Sequence, residues 1–310
     1  MTRGSEAESA RSRVLPVTSG VLRVTLLTDD GVPIDAAYEA AGTAVDDLAF
    51  VVAHGFTGAL ERPALRRAAR ALSQRAAVIT FSFRGHGRSG GRSTVGDREV
   101  LDLAAAVRWA RRLGHRRVVT VGFSMGGSVV LRHAARAGTA VGTASGGAAA
   151  LGATVEIQPY ATGGGKGRTQ EHGERVGRGD AHADAVIAVS APARWFYRGT
   201  APMRRLHWVV TRPAGRLVSR YGLRTRVAPE RWNPVPLSPV ASIPMIAPTP
   251  VLIVHGDADP YFPLDHPRAL AAAAAPSSTE LWIERGFGHA ENSAGEDLLN
   301  RIAEWAAAHT

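Results

Sequence analysis

Short, uninterrupted apolar runs alternate along much of this chain with longer stretches in which apolar residues recur every three or four positions. The short runs sit in "LAFVVAHGF", "AAVITFSF", "RRVVTVGF", "ADAVIAVSAPARW", "TPVLIVHGDADPYFP" and "STELWIERGFGHA". They are too brief for ordinary helices and rich in β-branched residues, which predicts buried parallel strands, each ending in a loop. The periodic stretches predict helices over about Pro63–Arg75 and Asp97–Leu113, in "MGGSVVLRHAARA" and "LDHPRALAAAAA", and over Gly295–His309. Near the start, Val21–Leu27 and Ile34–Tyr38 flank the turn signal "TDDGVP", which predicts a hairpin. Strand, loop and helix in repeated succession predict an α/β fold: a mostly parallel central sheet with helices on both faces, and with ligand sites at the carboxyl ends of the strands.

The alternation breaks in three places. Residues 1–20 are polar and predict a flexible N-terminal tail, leaving residues 21–310 as one large domain. Residues 138–182 are dominated by glycine, alanine, threonine and charge, and predict a flexible low-complexity insertion because they cannot bury enough apolar surface to offset their ordering entropy. Within it, "GGGKGRT" is no phosphate loop, since no serine or threonine follows Lys166 directly and no strand precedes it. Residues 193–248 mix aromatics, arginines and prolines without a strand pattern, and predict a small helical cap over the sheet.

Composition narrows the class. No apolar run approaches the roughly 20 residues that cross a bilayer. The first residues lack the apolar core of a secretory signal, which points to the cytoplasm. Zero cysteines exclude disulfides, thiol nucleophiles and thiolate metal sites. The net charge of +10 comes almost wholly from arginine, Lys166 being the only lysine. Arginines occur along every predicted helix rather than in one run interleaved with aromatics, so they read as solvated faces able to attract anionic substrates, not as a nucleic-acid surface. No amphipathic helix of the kind that lies on a bilayer stands out, and stable membrane insertion is not expected.

Candidate chemistry centres on "VGFSMGGSVV", where Gly122, Ser124 and Gly126 satisfy G-x-S-x-G between a predicted strand and a predicted helix. Such a turn lifts the serine hydroxyl clear of the sheet as a nucleophile; a helix N-cap or a packing serine is the competing reading. A serine nucleophile needs a base, and the base an orienting acid. Two later loops offer them: "HGDADPYFP" carries Asp257 and Asp259, and "GFGHAEN" carries His289.

The motifs "HGFTG", "RGHGRS", "GFSMGG", "HGDADPYFP" and "GFGHA", each at the end of a predicted strand, together resemble the α/β-hydrolase fold superfamily, in its serine aminopeptidase-like and carboxylesterase-like branch. The resemblance spans roughly Val21–His309 apart from the insertion and the cap. It implies Ser124 as nucleophile, His289 as general base and acid, and Asp259 as the orienting carboxylate, in the chain order of that fold. Asp259 is preferred because His255, Gly256, Asp259 and Pro263 fill the family loop, with Phe262 where valine is usual; Asp257 is then a turn cap. It also implies an oxyanion hole from the backbone N–H groups of Phe56 and Met125. In "RGHGRS" the family often places aspartate two residues before the arginine, where this chain has Ser82, and Arg84 and His86 read as loop scaffolding.

The resemblance implies a serine hydrolase acting on a small-molecule acyl substrate, foremost a carboxylic ester. Thioesterase, aminopeptidase-like and perhydrolase chemistry stand as alternatives on the same three residues, and a non-catalytic binding module as an alternative of another class. Trp195 and Tyr197, with Phe196 and Trp208, are candidates for an apolar acyl pocket; Arg204 and Arg205, with Arg194 and Arg198, are candidates for an anionic group. The pattern implies no metal and no cofactor: cysteine is absent, and the histidines lack paired ligand spacing.

Overall fold

A computed structural model of the chain describes residues 21–41, 47–143 and 181–310. The expected N-terminal tail, and residues 144–180 of the expected insertion, lie outside the described residues. The hairpin forms from β1 (Leu22–Leu27) and β2 (Pro33–Glu39). Next come β3 (Leu48–Ala53), α1 (Pro63–Ser73), β4 (Ala77–Phe81), α2 (Glu99–Arg112), β5 (Arg117–Phe123), α3 (Met125–Thr143) and β6 (Ala185–Val189). After β6 the chain makes a helical excursion through α4 (Ala201–Thr211), α5 (Pro213–Tyr221) and the short α6 (Pro239–Ser242). It returns as β7 (Val251–Gly256), α7 (Asp265–Ala273), β8 (Thr279–Glu284), α8 (Ala290–Ser293) and α9 (Glu296–Ala308).

The eight strands form one sheet in the order β1-β2-β4-β3-β5-β6-β7-β8. The pairs β1/β2 and β2/β4 are antiparallel, and every later pair is parallel. Period-two geometry explains why the strands read as solid apolar runs. Along β3, Ala49, Val51 and Ala53 join one apolar layer with Leu103 and Val107 of α2 and Val129 of α3, while Leu48, Phe50 and Val52 join the opposite layer with Leu65 and Leu72 of α1 and Leu299 and Ile302 of α9. Both faces are covered, so alternation of polarity has nothing to favour it.

One expectation shifts. The helix after Ser124 does not stop at Gly138 but runs to Thr143, six residues into the stretch expected to lack regular structure. Alanine is the best helix former and an internal glycine costs only about 1 kcal/mol, so a helix already nucleated against the sheet propagates through "GTAVGT".

The loop after β4 shows how the chain manages without aspartate at position 82. Arg84 is buried, and its guanidinium donates to Asp102 of α2 at 2.7 and 2.9 Å and to Asp30 of the β1–β2 turn at 2.7 and 2.9 Å. Asp102 also accepts from the Arg84 backbone N–H at 2.8 Å. The counter-charge comes from elsewhere in the chain, and the Ser82 hydroxyl instead accepts from Leu60 N–H at 3.1 Å. Arg84 thus ties the hairpin turn and α2 to the end of β4.

Candidate active site

The strand β5 passes into α3 within one residue. Ser124 makes that turn with a φ of 51°, a left-handed conformation that costs a side-chain-bearing residue and persists only where its surroundings enforce it. They do so by close packing. A Cβ on Gly122 would lie 2.2 Å from Gly126 O, and one on Gly126 would lie 2.3 Å from Ala53 O at the end of β3. Only glycine fits either place. Ser124 N–H donates to Val189 O at 2.8 Å, so the neighbouring strand fixes the turn as well.

The turn points Ser124 Oγ at His289. His289 Nε2 lies 2.9 Å from Ser124 Oγ, and His289 Nδ1 lies 2.7 Å from Asp259 Oδ2. An ionised carboxylate only accepts, so Nδ1 carries the proton and Nε2 presents its lone pair to the hydroxyl. The Asp259 side chain is fully buried. Burial pushes its carboxyl up, but the hydrogen bond and charge of His289, and the N–H groups of Tyr261 and Phe262 at 2.8 and 3.1 Å, more than offset that and hold it below the ordinary carboxylate value. Asp257 stands apart from this cluster: its Oδ1 accepts from Gly286 N–H at 2.6 Å across two loops.

Met125 is the first residue of α3, so its N–H is one of those that a helix leaves without an intrahelical acceptor. Phe56 lies in the loop after β3. The peptide that carries its N–H is held at its carbonyl, and the peptide before it at its N–H. Phe83 N–H donates to His54 Nε2 at 3.0 Å, which leaves the imidazole proton on Nδ1, 2.7 Å from Gly55 O. A trans peptide points its N–H opposite its carbonyl, so pinning Gly55 O sets the direction of Phe56 N–H. On the other side Gly55 N–H donates to Glu291 Oε1 at 3.0 Å.

Glu291 and Tyr261 escaped the sequence reading. Glu291 is buried, and Arg67 of α1 donates to its backbone carbonyl at 2.8 Å. The Tyr261 ring stacks on His289 with centroids 4.3 Å apart and an interplanar angle of 29°. Both lie one or two residues from a motif position, Glu291 in "GHAEN" and Tyr261 in "DADPYFP", and an acid or aromatic that close to a candidate site is the signal that names them.

Above Ser124 lies a cavity of about 970 Å³. Phe56, Met125, Trp195, Tyr197, Trp208 and Phe262 supply much of its apolar lining. Trp195 is fixed there by its indole N–H, which donates to Pro236 O at 2.9 Å. Of the expected arginines, Arg194, Arg198 and Arg204 line the cavity. Arg205 does not: it is exposed on α4 and outside the lining. Arg204 Nη1 donates to the carbonyls of Arg198 and Gly199 at 3.3 and 3.1 Å, and Arg194 pairs with Asp265.

A profile of the alpha/beta hydrolase family matches residues 50–297. The chain belongs to that family. No curated protein matches it in sequence. Among solved structures it resembles the esterase Pf2001 of Pyrococcus furiosus, at 19% identity over 94% of this chain and 91% of that one with a TM-score of 0.63. It also resembles the alpha/beta hydrolase GrgF from Penicillium sp. sh18, at 16% identity over 94% and 99% with a TM-score of 0.63. The serine hydrolase XC6422 of Xanthomonas campestris, described as having no lid, matches at 19% identity over 96% of both chains with a TM-score of 0.53.

Proposed function

We propose that the protein is a serine hydrolase that cleaves carboxylic esters through an acyl-enzyme on Ser124. The observation that carries this reading is the unbroken hydrogen-bond chain from Ser124 Oγ through the His289 imidazole to the buried Asp259 carboxylate. In the first half-reaction Ser124 Oγ attacks the ester carbonyl carbon and its proton passes to His289 Nε2. Asp259 steadies the imidazolium that forms. The carbonyl oxygen, now an oxyanion, is received by the N–H groups of Phe56 and Met125; one such donor typically supplies about 3 to 4 kcal/mol. Collapse breaks the ester C–O bond, and His289 returns its proton to the departing alkoxide. In the second half-reaction water attacks the acyl-enzyme carbonyl, His289 takes the water proton, and expulsion and reprotonation of Ser124 Oγ release the acid.

The aromatic lining favours an ester with an apolar acyl or alkoxy part, with Trp195 and Tyr197 as its walls and Arg204 within reach of a carboxylate. The excursion between β6 and β7 is then a cap on the site. A fluorophosphonate probe tests the reading, together with a series of p-nitrophenyl esters of increasing chain length. The expected result is labelling and turnover by the wild type and neither by Ser124→Ala. A folded wild type that is not labelled overturns it in favour of a binding module.

A further inference from the structure

The residues between β6 and β7 are unlike the rest of the chain in charge and in what they leave uncovered. Residues 193–248 contain ten arginines and one acidic residue, Glu230, a net +9 against +10 for the whole protein. Among the described residues only one of those ten, Arg194, has an ion-pair partner. The arginines are spread along the chain, as expected, but the acids that neutralise them elsewhere are missing here.

Helix α5 lies in this segment with its sides reversed. Gly215 and Ser219 are buried, whereas Leu217, Val218 and Tyr221 are 58%, 49% and 73% exposed. Those three, with the exposed Pro213 and Ala214 one turn earlier, form a single apolar stripe facing solvent. Beside it Arg212, Arg216 and Arg220 recur every four residues, which places them in a row along one flank. The apolar character continues from α5 to the cavity: Phe196, Trp208 and Val235 are exposed and also line it, as do Arg212 and Arg216.

We propose that the outward face of α5 docks the protein peripherally on an anionic lipid surface. An apolar stripe flanked by arginines is what such a surface takes up, the side chains entering the headgroup boundary and the guanidinium groups meeting lipid phosphates. A second copy of the chain is a poor occupant, because it would bring +9 against +9. Nucleic acid would satisfy the arginines but leave Leu217, Val218 and Tyr221 without a partner. Docking in this way sets the rim of the cavity against the lipid. The surface binds whether or not Ser124 reacts.

Flotation of the full-length Ser124→Ala protein with phosphatidylglycerol-containing vesicles, alongside pure phosphatidylcholine vesicles, tests this apart from any catalysis. The expected result is binding about tenfold or more tighter to the anionic vesicles, weakening as salt rises from about 0.05 to about 0.5 M. The double variant Leu217→Ser, Tyr221→Ser should lose about tenfold in partitioning with its melting temperature held, and Arg220→Gln should flatten the salt dependence. Equal binding to both vesicle types overturns the proposal, as does no binding or an α5 variant that floats like its parent. A dimer in sedimentation equilibrium that the Leu217→Ser, Tyr221→Ser variant abolishes also overturns it, as does tighter retention on duplex DNA than on the anionic vesicles.

Discussion

Arginine does opposite jobs in two regions of this molecule. Around the sheet many arginines are matched: Arg84 with Asp30 and Asp102, Arg111 with Asp184, Arg117 with Asp47, Arg132 with Asp97 and Arg301 with Glu284. Between β6 and β7 it is nearly all unmatched and sits among exposed aliphatic and aromatic side chains. The same residue type locks loops in one region and leaves charge to face outward in the other. The difference shows that counting cations says little until the acids beside them are counted too.

The comparison yields graded expectations. The sheet loops should tolerate least at the site itself: Ser124→Ala should lower kcat on p-nitrophenyl esters by about 10⁵ to 10⁶, and Asp259→Asn by about 10⁴, with unchanged thermal melts. Away from the site, Arg84→Met leaves two carboxylates facing each other without their cation. It should cost about 3 to 5 kcal/mol in urea unfolding, whereas Arg220→Gln should stay within about 0.5 kcal/mol. Equal costs for the two would dissolve the contrast.

Acid should expose the same asymmetry. Burial lowers His133 and His266 to about 4 and holds His54 and His255 below the ordinary imidazole value, all of them packed around the sheet. At these four histidines the unfolded chain therefore takes up protons first as pH drops below about 6.5, and the stability they contribute above that pH should drain away between about 6.5 and 4; Asp102, which burial raises to about 7, opposes part of this. Tm measured across that window should fall steadily, and replacing His133 with leucine should flatten part of the fall. Finer still is Glu291→Ala, which leaves Gly55 N–H without its acceptor and should reduce kcat about tenfold at nearly constant KM. Glu291→Gln, which keeps an acceptor oxygen, should recover most of it.

The parallel strands were legible because burial on both faces writes them as unbroken apolar runs, and the loops after them because their glycines and polar residues stand out against those runs. Ser124, Asp259 and His289 were candidates for that reason, and the fold brings them into one hydrogen-bonded line. What stayed hidden depends on partners remote in sequence. Nothing near Arg84 foretells that Asp30 and Asp102 supply its counter-charge, and Glu291 meets Gly55 only across 236 residues. Helix α5 was hidden for another reason: the spacing of Leu217, Val218 and Tyr221 is what a helix facing the core also shows, and only the packing of Gly215 and Ser219 against the protein reveals which side is out.

The Arg84 clip carries a lesson for anyone trimming this chain. The β1–β2 hairpin sits at one edge of the sheet and far from Ser124 in sequence, and looks dispensable for a minimal catalytic fragment. Its turn supplies Asp30, however, one of the two carboxylates on a buried guanidinium, and β2 is the antiparallel partner of β4. Deleting the hairpin would bare a strand edge and unbalance the interior charge at one stroke, so a shortened version should begin no later than β1.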